Sequence, residues 1–191
     1  MKSVLLFLFA MAGNTGFAFP VLAGDTLEVQ ERVLFDFRRE PDRERWQVED
    51  DVVMGGRSQG DFYVDGEGNG IFSGVVSLEN DGGFSSVQAC FELIDVSAYR
   101  VAVLRVKGDG KRYQFRVESV PGERHSYIHH FQTSGEWETI EIPLADMVPM
   151  HHGNRLDLPN YPGKTMSHAR FMIANGQAEA FRLEIDRVSL R

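Results

Sequence analysis

The sequence predicts an all-β domain, a sandwich or a barrel. Three observations carry this reading. Short runs alternate apolar and polar residues, as where Tyr113, Phe115 and Val117 interleave with Gln114, Arg116 and Glu118; that period of two marks a strand with one buried face. Glycine-rich turns such as Gly108-Asp109-Gly110 separate the runs at regular spacing, as in sandwiches and barrels. No stretch holds apolar residues at the 3.6-residue period of a long amphipathic helix.

In chain order, Met1-Lys2-Ser3 leads into an apolar run over residues 4–11, and Val21-Leu22-Ala23 ends on a small residue. A basic start, a short apolar core and a small residue at the end describe a secretory signal peptide cut near Ala23. The run is shorter than the roughly 20 residues a membrane span needs, and Gly13, Asn14 and Thr15 interrupt it. The segment has no arginine, unlike a mitochondrial presequence. The expectation is an exported chain, periplasmic or extracellular. Residues 24–32 read as a polar N-terminal lead, and residues 33–191 as one β-sandwich domain.

Residues 33–37 form the first expected strand. A charged connection interrupted by Pro41 follows, and Trp46 opens the central region. Strands are expected at 62–64, 71–78 and 84–93; in the last, Val87, Ala89, Phe91 and Leu93 share one face. The apolar run at 101–106 reads as a strand buried on both faces. Further strands are expected at 113–117, 127–131, 137–142, 171–173 and 181–188, with one helical turn near residues 143–149. Residues 150–167, rich in His, Pro, Gly and Asn, are the longest irregular stretch.

Composition removes several functions. Twenty Lys and Arg against 28 Asp and Glu leave a net charge of −8, which disfavours nucleic acid and anionic lipid as partners. No second apolar stretch is long enough to span a membrane. The single cysteine, Cys90, has no internal partner for a disulfide. No nucleophile elbow, phosphate-binding loop or dinucleotide fingerprint occurs, so no catalytic residue is assigned.

Metal readings have weak spacing. His129-His130 would point to opposite faces of a strand, whereas His151-His152 lies in a loop that His125 or His168 would have to approach. Asp50-Asp51, Asn80 and Asp81 offer oxygen ligands for a structural calcium, or else cap their own turns. No metal site is assigned. Trp46, Tyr63, Trp137 and Tyr161 are the rings available to stack on a sugar.

The densest signal is a pair of turns. Asp51-Val-Val-Met54-Gly55-Gly56-Arg-Ser58-Gln59-Gly60 is followed by Gly74 and then by Asn80-Asp81-Gly82-Gly83-Phe84-Ser85-Ser86-Val87. Each glycine pair marks a place that needs positive φ or close backbone approach. With Phe171-Met-Ile173, Phe181-Arg-Leu183-Glu-Ile185 and Trp137-Glu-Thr-Ile-Glu-Ile-Pro143, these blocks resemble the complex I intermediate-associated protein of 30 kDa family. The resemblance implies a galactose-binding-domain-like jelly-roll β-sandwich. It also implies a non-catalytic assembly factor that holds a protein partner, such as membrane-complex subunits, with Asp51, Met54, Gly55, Gly56, Ser58, Asn80, Gly82, Gly83, Phe84 and Ser86 as partner-binding residues. Family members usually carry Arg where this chain has Gln88, and tend to carry Gly where Arg170 stands. The alternative reading is an exported carbohydrate-binding module.

Overall fold

The computed structural model describes residues 30–39 and 43–191. The expected signal peptide, and the expected lead as far as residue 29, lie outside the described residues. Two antiparallel sheets face each other. In one, β3 (Gln59–Val64), β4 (Gly70–Val76), β13 (Glu179–Leu190), β6 (Val101–Lys107) and β9 (Glu138–Pro143) lie in that order, and β1 (Arg32–Asp36) also pairs with β13. The other runs β11 (Asn154–Arg155), β10 (Val148–His151), β8 (Ser126–Gln132), β7 (Arg112–Glu118), β12 (Thr165–Ile173), β5 (Ser85–Asp95) and β2 (Trp46–Asp50). The fold is a jelly-roll β-sandwich, as the sequence predicts.

Alternation explains the core. On β7, Tyr113, Phe115 and Val117 point between the sheets and are almost completely buried. Trp46 is 6% exposed and packs on Phe35 at 4.7 Å and on Phe62 at 5.4 Å between ring centres. Burying one such side chain contributes roughly 2–3 kcal/mol before its lost freedom is subtracted. The long strand β13 joins one sheet together: residues 179–185 pair with β4, and 184–190 with β6.

Three elements differ from expectation. Residues 46–50 are a strand, β2, because Trp46 and Val48 face the core while Gln47 and Glu49 face out. Residues 101–106 are buried on one face only. Ala102, Leu104 and Val106 are fully buried, whereas Val103 and Arg105 sit half-exposed beside their β9 partners Glu141 and Thr139. The expected irregular stretch begins with the β10–β11 hairpin and ends in β12. The expected helical turn is a single 3-10 turn, Leu144–Asp146.

Candidate functional site

All ten motif residues come together at one corner, where the turn after β2 docks on the turn before β5. Asp51 is the hub. It is completely buried, and both carboxylate oxygens accept bonds from its own chain. Ser58 donates from its N–H at 2.9 Å and from its hydroxyl at 2.5 Å; the Gly83 and Phe84 N–H groups donate at 2.6 and 3.2 Å. Removal from water pushes the Asp51 carboxyl up, but these donors outweigh it and hold it below the usual carboxylate range. Asp50 repeats the device one residue earlier, accepting from the Gly60 N–H at 2.8 Å and the Ser85 hydroxyl at 2.6 Å. Ser86 is buried and donates to the Glu49 carbonyl at 2.8 Å.

Two glycines are small because this carboxylate lies against them. A Cβ at Gly56 would sit 2.3 Å from Asp51 Oδ1, and one at Gly82 would sit 2.7 Å from Oδ2. Gly55 and Gly83 instead take positive φ, 95° and 141°. Asn80 and Asp81 also lie in the left-handed region, at 56° and 59°, and Asn80 Nδ2 donates to the Gly55 carbonyl at 3.2 Å. The Asp50 and Asp51 carboxylates of the calcium candidate are therefore turned onto N–H and O–H groups of the two turns.

The locked corner offers an apolar crest to solvent, next to the exposed Arg57–Glu79 ion pair. Val52, Val53 and Met54 are 59, 70 and 56% exposed, with Leu78 beside them at 46%. Val53, Met54 and Leu78 form the rim of a groove of about 790 Å³. Its floor is the outer face of the seven-stranded sheet, carrying Gln114 and Arg116 of β7, Ile128 and His130 of β8, and Arg170 and Met172 of β12. Met150 and His151-His152-Gly153 form the far wall. Burial and the neighbouring Arg112 and Arg116 hold His130 below its ordinary range, so it is neutral at pH 7. Arg170 pairs with Glu49 at 3.2 Å and also donates to Gln88. Gln88 and Arg170, the two departures noted in the sequence, are cross-strand partners. The motif did not reveal the floor residues. The period-two faces of β7 held the signal, but nothing local says that β8 and β12 lie alongside.

The other sequence candidates are scattered. His129 faces the core opposite Phe115, whereas His130 faces the groove. His125 lies 3.5 Å from Glu123, and His168 lies 3.4 Å from Glu118 and 3.6 Å from Cys90 Sγ. Among the described residues, no group of three or more His, Cys, Asp or Glu is placed to hold a metal ion. Trp46 and Tyr161 are buried, Tyr63 accepts a bond from Arg182, and Trp137 is covered by Arg105.

This fold has relatives. The family described as Complex I intermediate-associated protein 30 matches residues 35–185. The chain belongs to this family. A mouse member, the mitochondrial Complex I intermediate-associated protein 30 of Mus musculus, is 26% identical over 186 residues, covering 84% of this chain and 56% of that protein. The chain thus spans little more than half the length of this curated relative. Among solved structures, the family 11 carbohydrate-binding module of a cellulosomal cellulase of Clostridium thermocellum is 18% identical, with a TM-score of 0.62 over 85% of this chain and 94% of that one. An agarase is 13% identical, with a TM-score of 0.55 over 84% of this chain and 24% of that one. At such identities the likeness of this family member to the sugar-related proteins is one of fold. Among the described residues, no helix is long and apolar enough to cross a membrane.

Proposed function

We propose that this chain is a non-catalytic binding module that holds a protein partner at the rim of the groove, in the manner of an assembly factor. The observation that carries this reading is the crest of Val52, Val53, Met54 and Leu78, exposed on a corner made rigid by the buried Asp51 carboxylate. Adjacent exposed apolar side chains on a fixed turn are a surface to be covered, and a preorganised turn loses little freedom on binding. Left-handed Asn80 and Asp81 behind the crest mark the local strain that accompanies functional loops. Membership of a family named for association with complex I intermediates points to membrane-complex subunits as the partner class. The leader expected at residues 1–23 supports an encounter outside the cytoplasm.

A photo-crosslinker at position 53 tests this. With membranes of the producing cell, the expected result is a discrete adduct containing a membrane-complex subunit, competed away by unlabelled protein. Equal labelling from Val75, which is 54% exposed on the other sheet, would overturn it.

The second reading, a carbohydrate-binding module, is favoured by the fold shared with the family 11 module. The groove counts against it: its aromatic side chains are Phe84 and histidines, with no Trp or Tyr to stack on a sugar. Binding on a glycan array with no crosslink at position 53 would favour the sugar.

A further inference from the structure

We propose that Arg116, on the floor of the groove, is a carboxylate-recognition site that takes one acidic side chain of the bound protein partner. The inference rests on the protein-partner reading above and names the chemistry of that partner.

Arg116 sits in the middle of β7, with Arg170 of β12 on one side and Ile128 of β8 on the other. Its Nε donates to Gln114 Oε1 at 3.0 Å. Among the described residues, no carboxylate lies within ion-pair distance of it, and its two terminal nitrogens have no protein acceptor. The acids nearest to it are committed elsewhere: Glu118 to His168 at 3.4 Å, and Glu49 to Arg170 at 3.2 Å. Burial and the charge of Arg170 push Arg116 down to about 10 against the opposing pull of Glu118 and Glu49, which leaves it charged at neutral pH. A half-buried guanidinium that feels Glu118 and Glu49 only at a distance, with no direct ion pair, is costly, and its planar fork fits a carboxylate through two parallel bonds.

The surroundings narrow the ligand. Glu49, Asp81, Glu118 and Glu123 line the groove along with Arg116, Arg124 and Arg170, so a polyanion such as nucleic acid is repelled, while a single carboxylate seated on Arg116 is not. Met150, Met172 and Phe84 line the same groove. Thioether and phenyl side chains adapt to irregular apolar flanks, as a peptide segment presents them.

The test is a titration of the purified protein, followed through the Arg116 Nε–Hε NMR signal. The probes are acetyl-Ala-Leu-Glu-Leu-Ala-amide and the same peptide with Gln for Glu. The expected result is saturable movement of the signal with the Glu peptide and at least about tenfold weaker binding of the Gln peptide, the size of one charge-assisted bidentate contact. Arg116→Gln should erase that preference, and Arg116→Lys should retain only part of it. Equal response to both peptides, or no response to either, overturns the proposal. So does binding of digalacturonate in the absence of peptide binding, because the site would then serve an acidic sugar. These failures are separable from failure of the partner reading, since the crosslink at position 53 depends on the crest and not on Arg116.

Discussion

The two walls of the groove are built on opposite plans. The wall beside β2 is locked from within. Asp51 is fully buried and receives bonds from both turns, across 32 residues of chain in the case of Gly83. The wall beside β10 is the hairpin around His151-His152-Gly153, where the histidine rings meet edge to face with centres 4.2 Å apart and all three residues face solvent. Across it the recorded side-chain bond is Asn154 Nδ2 to the His152 carbonyl at 3.2 Å. One wall uses a buried charge to fix an apolar crest; the other presents polar rings to solvent. Stability and recognition are thus separable here: substitution behind the locked wall should unfold the corner, and substitution on the open wall should not.

Asp51→Ala should have the largest effect. It strands four donors in a buried site, a loss of about 4 kcal/mol when unsatisfied groups cost roughly 1–3 each and part of the corner relaxes. In a domain of this size the melting temperature should fall by about 10 °C. A variant that melts within a few degrees of wild type would show that the corner is not locked by this carboxylate. Gly56→Ala should come next, at roughly 2–3 kcal/mol, because its Cβ enters the space of Asp51 Oδ1. Val53→Ala, on the exposed side of the same turn, serves as the control that leaves the melting temperature unchanged.

Acid should act on the locked wall selectively. The folded Asp51 carboxyl lies below the unfolded value of 3.8. Its contribution is therefore complete above that value and is lost as pH falls through the lower folded one. Wild-type stability should drop as pH falls below 3.8, and part of that drop should be absent from Asp51→Asn, which is already weak at neutral pH. Parallel acid profiles for the two proteins would remove Asp51 from the account. Asp65 is held low in the same way by its own turn, through Asn69 and Glu67, so the residual slope of the variant is expected to be non-zero.

How much of this contrast was legible follows from where the signals lie. The strands were readable because burial on one face imposes a period of two, as on β7. The doubly buried reading of residues 101–106 missed because Val103 and Arg105 are covered only by their strand neighbours. β2 was missed because its two inward residues, Trp46 and Val48, follow directly on a charged connection. The motif marked both turns correctly as tight. It could not say that Asp51 closes on Gly83 and Phe84, since that pairing depends on β2 lying beside β5. The floor was least legible: Arg116 and Arg170 stand side by side only through the pairing of β7 with β12.

A smaller effect is expected from Asp81→Gly. Asp81 holds a left-handed backbone at 59° on an exposed turn. Glycine removes a strain of roughly 1 kcal/mol there, and its greater freedom in the unfolded chain gives part of that back. The expected outcome is a rise in melting temperature of a few degrees at most. A loss instead would mean that the Asp81 carboxylate supports the turn.

The smallest effect on stability belongs to the open wall. His151→Ala combined with His152→Asn removes the edge-to-face ring pair, and Asn tolerates the left-handed backbone that His152 holds at 46°. Exposed substitutions of this kind change stability by no more than about 0.5 kcal/mol, so the melting temperature should stay within about 2 °C. The crosslink at position 53 should weaken all the same, because a partner filling the groove touches both walls. If the double variant melts well below wild type, the histidine hairpin is a structural clasp and the two walls are not opposite in design. If stability and crosslink are both unchanged, the partner rests on the apolar crest alone, and the groove between the walls is not where it binds.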